Sequence, residues 1–226
     1  MIPTPVIVIN FKTYEQSTGK KAVELAKLCE KVAAKEKVHI SVAVQTADIA
    51  AVAKAVKIPV FGQHMDAIGY GAHTGHTLPE AVKQAGASGV MVNHSEYQLE
   101  YAKIKNCVER AGQIGLDTVV CAAKPRIAAK LAVLKPDAIA IEPPELIGGE
   151  TSVCHGKPEI ISRAVKMVHR VAHIPLLCGA GVKERSDAAA ALKFGASGVL
   201  VASHIVMAKE PEKVLRELAA GIKDGC

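Results

Sequence analysis

Short apolar runs alternate with amphipathic stretches along the whole chain. Val6–Asn10 is apolar and β-branched, and a short run of this kind suits a strand buried on both faces. Between Gly19 and Lys35, the residues Ala22, Val23, Leu25, Ala26, Leu28 and Val32 recur at helical spacing. The alternation then predicts a strand at His39–Val44, a helix at Ala47–Val56, a strand at Ile58–Phe61, a Gly-rich loop from Gly69 to His76, and a helix opening near Leu78-Pro79-Glu80. A strand at Gly89–Val92, a helix at Leu99–Ile114 and a strand at Asp117–Cys121 follow. Pro125 opens the next helix, since proline suits a first turn. Ala138–Ile141 is the sixth strand, Pro158 opens a helix to about Val171, and Pro175–Cys178 is the seventh strand. A helix at Arg185–Phe194, a strand at Gly198–Val201 and a helix from Pro211 to about Ile222 end the series.

There is an internal echo, in which Gly86-Ala-Ser-Gly-Val90 recurs as Gly195-Ala-Ser-Gly-Val199, each just ahead of an apolar strand. Eight strand–helix units without a linker or composition break predict one α/β domain over residues 1–226. A closed (β/α)8 barrel fits that count better than an open doubly wound sheet.

Composition narrows the function classes. No apolar run approaches the roughly 18 residues of a membrane helix, so no membrane span is expected. The N-terminus, Met-Ile-Pro-Thr-Pro, runs straight into the first strand without a basic region or cleavage site, which predicts a cytoplasmic protein. The net charge of +6 is spread along the chain and fits either steering of a small anionic substrate or a solvated mixed surface. An aromatic content of 3% and no Arg-rich segment argue against nucleic acid. The six cysteines, Cys29, Cys107, Cys121, Cys154, Cys178 and Cys226, form no C-x-x-C pair, and buried thiols are expected rather than disulfides.

In a (β/α)8 barrel the chemistry sits at the carboxyl ends of the strands. Strand one delivers Asn10 and Lys12 there, on the same side if strand geometry continues. Strand three delivers Gln63 and His64, strand four Asn93, His94, Ser95 and Glu96, and strand six Glu142. Ser95 is a helix N-cap candidate with Glu96 and Tyr97 opening a short helix, and a helix N-terminus beside His94 disfavours its protonated form. Gln63 and Glu96 are candidate supports for Lys12 and Asn10. Gly179, Gly181 and the short segment from Ser203 offer backbone amides after strands seven and eight, the common phosphate position of this fold. Glu142 is followed by Pro143-Pro144 and, further on, by Gly148-Gly149, which reads as a stiff tip between hinges. Each of these has a plain reading too: solvated Lys12, a surface His94, turn glycines, and Glu142 on an exposed loop. His73 and His76 lack a Cys or carboxylate partner, so no metal site is expected.

Together these residues resemble the triosephosphate isomerase family, in its short archaeal form. The carrying motifs are Asn10-Phe-Lys12, Gly71-Ala-His-Thr74-Gly75, Asn93-His94-Ser-Glu96, Cys121, Glu142-Pro-Pro-Glu-Leu-Ile-Gly148, Cys178-Gly-Ala-Gly181 and Val201-Ala-Ser203, in family order over nearly the whole chain. The resemblance implies a TIM barrel that interconverts dihydroxyacetone phosphate and D-glyceraldehyde 3-phosphate, a small phosphorylated triose, without metal or organic cofactor. It implies Glu142 as base, His94 as neutral electrophile, Lys12 as substrate and enediolate partner, and Asn10 as the residue ordering Lys12. It implies Ile147, Gly148, Gly181, Ala202 and Ser203 as phosphate-binding positions. It also implies a homodimer through the Gly69–His76 loop around Thr74, with a homotetramer as the further possibility of the short form. Two departures stand out: the lid ends Ile147-Gly-Gly-Glu150, and His73 precedes the loop threonine. Two alternatives remain, another phosphosugar barrel enzyme and a non-catalytic phosphate-binding homologue. A Schiff-base aldolase would want a lysine at the end of strand six, where this chain has Glu142.

Overall fold

The computed structural model describes residues 2–143, 156 and 158–225. Eight parallel strands close on themselves in chain order: β1 (Val6–Asn10), β2 (His39–Val44), β3 (Val60–Gly62), β4 (Gly89–Val92), β5 (Asp117–Ala122), β6 (Ala138–Ile141), β7 (Leu176–Cys178) and β8 (Gly198–Val201). The ring closes where β1 pairs with β8, Val6 opposite Gly198 and Val8 opposite Leu200. Helices cover the outside: α1 (Lys20–Glu36), α2 (Ile49–Ala55), α3 (Pro79–Gln84), α4 (Tyr101–Ile114), α5 (Pro125–Ala132), α6 (Pro158–His169), α7 (Arg185–Lys193), α8 (Ser203–Val206) and α9 (Pro211–Asp224).

The strands are apolar on both faces because both faces are covered. Val6, Val8, Ala43, Phe61, Met91, Val119, Ala140, Leu177 and Leu200 form one buried cluster, the filling of the barrel. Ile7, Ile9, Ile40, Val42, Val90, Val120 and Ile139 alternate with them and form a second, larger cluster with the inner faces of the helices. Side chains therefore fill the ring, and the strand ends beyond this filling are left for chemistry.

The repeated Gly-Ala-Ser-Gly-Val segment makes the same joint twice. Gly86 and Gly195 have φ of +99 and +93, the left-handed turn that ends a helix. Ala87 N–H then donates to Val82 O and Ala196 N–H to Ala191 O. Ser88 N–H donates to Val60 O at 2.8 Å and Ser197 N–H to Leu176 O at 2.7 Å, which starts each next strand beside its neighbour. Every backbone donor of the turn is thus satisfied, as burial requires.

Boundaries shift from the sequence expectation by a residue or two at several elements, and three of the shifts matter here. The third strand begins at Val60 rather than Ile58, because Pro59 has no N–H to give the ladder. The second helix is split into a 3-10 turn over Thr46–Asp48 and α2. Helix α4 begins at Tyr101 rather than Leu99, and the Leu99 N–H donates to Asn93 Oδ1 at 2.8 Å. Cys29, Cys107, Cys121 and Cys178 are buried and in no disulfide, while Cys154 and Cys226 lie outside the described residues. Among the described residues no helix is long and apolar enough to cross a membrane.

Candidate active site

Asn10 ends β1 and is buried. Its Oδ1 accepts the Lys12 N–H at 3.0 Å. This contact holds Lys12 at φ +48, a left-handed conformation that a lysine adopts only under local constraint. From the end of β3, Gln63 Nε2 donates to the carbonyls of Lys12 at 2.9 Å and Ala43 at 3.3 Å. The strained turn is therefore gripped from its amide and its carbonyl. The Lys12 ammonium donates to Glu96 Oε1 at 2.6 Å. Glu96 is 58% exposed, so solvent screens that pair, and its effect is to aim the lysine more than to stabilise the fold.

His94 and Glu142 approach each other across the mouth, with Nε2 3.5 Å from Oε1. Both are buried. The helix expected to begin at Ser95 is not formed. Residues 95 and 96 make a turn closed by the Tyr97 N–H donating to His94 O at 2.8 Å. The segment is captured instead by Asn93, which sits at φ +63, donates from Nδ2 to Cys121 O at 2.9 Å and accepts the Leu99 N–H. A helix N-terminus thus plays no part at His94. One amide does the work: the Glu96 N–H donates to His94 Nδ1 at 3.2 Å. A nitrogen that accepts carries no proton, so the hydrogen-bond network assigns the tautomer with Nε2–H turned toward Glu142.

Glu142 follows β6, and its N–H donates to Ala122 O at 2.9 Å. Its Oε2 is buried without a hydrogen bond among the described residues. Cys121 lies alongside without the geometry of a hydrogen bond to that oxygen; burial first, and then the Glu142 charge, push the thiol well above its ordinary pKa. Cys121 is thereby kept protonated and inert. A Cβ on residue 179 would meet Glu142 Cγ at 2.5 Å, so only glycine leaves room for the carboxylate here. Sequence reading named Gly179 for its amide and missed this steric role, which only the packing of β6 against β7 reveals.

Asn10, Lys12, His94 and Glu142 share one cavity of about 110 Å³ with Gly181, Ala202 and Ser203. Gly181 has φ +68, and Ala202 and Ser203 lead into α8, so this side presents backbone to the cavity. Lys183 and His204 line it as well, and neither was singled out from sequence. Ser95 lies apart, lining a neighbouring pocket of about 270 Å³ that reaches Glu142 from behind. Ile147 and Gly148, with the far hinge Gly149–Glu150, lie outside the described residues. Among the larger hollows, the two of about 740 and 670 Å³ lie along α7 and α9 and at the amino ends of the strands. Neither combines a lysine and an imidazole with a buried carboxylate, so size is outweighed by chemistry. The His73 and His76 rings stand 6.0 Å apart on an exposed loop. Among the described residues no three His, Cys, Asp or Glu side chains are grouped to hold a metal ion.

Comparison with known proteins agrees with this picture. The triosephosphate isomerase family model matches residues 5–218. The triosephosphate isomerase of Methanobacterium bryantii is 45% identical over 220 residues, covering 97% of each chain. That of Metallosphaera sedula is 42% identical over 96% of this chain and 95% of its own. A crystal structure of triosephosphate isomerase from Bartonella henselae, at 20% identity, superposes with a TM-score of 0.76 over 98% of this chain and all of that one, and shows the fold. With a family match over nearly its full length and archaeal relatives above 40% identity, the chain belongs to the triosephosphate isomerase family.

Proposed function

We propose a division of labour among these side chains for the family's reaction. The chain is an aldose–ketose isomerase that interconverts dihydroxyacetone phosphate and D-glyceraldehyde 3-phosphate, a step of glycolysis and gluconeogenesis. Glu142 is the base. It takes a proton from the carbon beside the carbonyl, and the C–H electron pair becomes the carbon–carbon double bond of an enediolate. The carbonyl oxygen gains the negative charge, which Lys12 and the Nε2–H of His94 stabilise. His94 passes its Nε2 proton to that oxygen and recovers one from the neighbouring hydroxyl. Glu142 then returns its proton to the adjacent carbon, so no atom is gained or lost. Asn10 holds Lys12 in its strained turn, and Gln63 and Glu96 support it from behind. The phosphate sits against the backbone of Gly181, Ala202 and Ser203, with Ile147 and Gly148 added from the loop after Glu142. The site must also stay dry, because an exposed enediolate would expel its phosphate.

The observation that carries this reading is the 3.5 Å approach of His94 Nε2 to Glu142 Oε1, both buried, in a cavity shared with Lys12. A general base and an electrophile side by side at this distance can address an adjacent carbon and oxygen of one substrate. An assay coupling glyceraldehyde 3-phosphate consumption to reduction of its product tests it: purified protein should turn over, and none would sink the assignment.

The loop at Gly69–His76 supports a reading of assembly. All eight residues are exposed, including Tyr70 at 72%. Its base is closed by the Asp66 N–H on Thr77 O at 3.0 Å and the Thr77 N–H on Asp66 Oδ2 at 2.7 Å. A firmly closed loop with no cover on its own chain supports a homodimer through Thr74, with the tetramer as the larger form. Light scattering at micromolar concentration should return at least twice the chain mass of 23.7 kDa; a monomer would contradict it. A role in glycolysis supports a cytoplasmic location.

A further inference from the structure

The residues lining the catalytic cavity include two basic ones that the division of labour above leaves unused, Lys183 and His204. Lys183 comes from the loop after β7 and His204 from α8 after β8, so they flank the backbone of Gly181, Ala202 and Ser203. Among the described residues, Glu142 is the one carboxylate lining the cavity.

Lys183 does not stand on a loose loop. Its N–H donates to Asp187 Oδ2 at 2.9 Å, and the Glu184 N–H donates to the same oxygen at 3.0 Å. Asp187 is buried in the first turn of α7, so the Lys183 backbone is tied to a helix. His204 is tied from the other side, because the amides of Ile205 and Val206 both donate to Ala202 O. The two side chains feel each other. Burial first, and then the Lys183 charge, hold the His204 imidazole below its ordinary pKa, while Glu184 and Asp187 pull the other way. Bringing an ammonium and an imidazole to one wall is unfavourable by itself, and an anion between them reverses the sign.

We infer that Lys183 and His204 form a side-chain anion pair that grips the phosphate of the substrate, beyond what backbone amides supply. This rests on the isomerase reading of the cavity. Lys183 supplies charge, and His204, mostly neutral near pH 7, supplies a hydrogen bond. The pair would raise selectivity for a phosphorylated triose over the bare sugar, acting on substrate binding more than on the chemical step. The same two side chains also border the outer groove along α7 and α9, where Lys209 and Lys213 lie. If they turned outward instead, they would be ordinary surface groups.

Calorimetric titration with inorganic phosphate at fixed ionic strength separates the two cases. Lys183→Met should weaken phosphate binding about tenfold, the scale of one charge-assisted contact, and raise KM alike while kcat stays within about twofold. Lys183→Arg should recover most of the affinity, and His204→Asn should lose about threefold. Lys209→Met, which removes the same charge from the outer groove, should change nothing. Phosphate affinity of Lys183→Met within twofold of the parent, or an equal loss in Lys209→Met, would overturn the pair. Because phosphate binding is read without turnover, a parent that binds phosphate but fails to isomerise would count against the reaction and leave the pair to be decided by the titration.

Discussion

Glu142→Gln will lower kcat by roughly 10³-fold or more while KM moves only a few-fold, since general base catalysis contributes about 10²–10⁴ and an amide cannot accept the proton. The geometry makes this clean. Glutamine keeps the shape of a side chain packed against Gly179, and among the described residues no other carboxylate lines the cavity to substitute for it. Glu142→Asp is the companion change. It keeps the charge but withdraws the carboxylate by one methylene from a position 3.5 Å from His94 Nε2. A displacement of about 1 Å at a reacting centre costs on the order of 10²-fold, so aspartate should fall between the parent and glutamine. Steady-state kinetics in both reaction directions checks the order. A glutamine variant with parental kcat would remove Glu142 from the base role.

Gly198→Ala should destabilise the fold by about 3–5 kcal/mol, combining overpacking with backbone strain. Residue 198 lies opposite Val6 in the seam where β8 meets β1. A Cβ there would stand 2.2 Å from the Val6 carbonyl oxygen, and φ is +153. Backbone cannot retreat as a flexible side chain can, so the strands must part at the point where the ring closes. Against a typical total stability of about 5–15 kcal/mol this is a large fraction. The melting temperature should drop by roughly 10 °C, at about 2–4 °C per kcal/mol for a chain of this size. Gly112→Ala is the control. It lies within α4, nothing comes within 4 Å of its added Cβ, and alanine should add about 0.5–1 kcal/mol of stability. Calorimetric melting of both would settle the matter; a Gly198→Ala midpoint within 2 °C of the parent would contradict a rigid seam.

Much of this was legible in the chain. Eight apolar runs fell at the eight strands because period and length carry the signal of a doubly covered parallel strand. The twin Gly-Ala-Ser-Gly-Val segments pointed to equivalent joints, and their backbone bonds match. Lys12, His94 and Glu142 were located because the barrel rule converts strand ends into one place. What was not legible depended on contacts across the ring. The expected helix after His94 rested on a local capping pattern, but the Asn93 side chain, bonded to Cys121 O and the Leu99 N–H, won over that pattern. The tautomer of His94 is consequently governed by one amide, which no periodicity reports. Gly179 looked like a turn glycine until the Glu142 side chain was placed against it. Lys183 and His204 are 21 positions apart and drew no notice in the sequence, because only the loops after β7 and β8 bring them to one cavity.

The account turns on a proton leaving carbon for Glu142. Turnover of dihydroxyacetone phosphate in D2O, followed by proton NMR of the trapped product, tests this most directly. A base shared with solvent would place deuterium at the carbon beside the carbonyl of the glyceraldehyde 3-phosphate formed, and Glu142→Gln would abolish both product and label. Product formed at the parental rate with all of its carbon-bound hydrogen retained would contradict it.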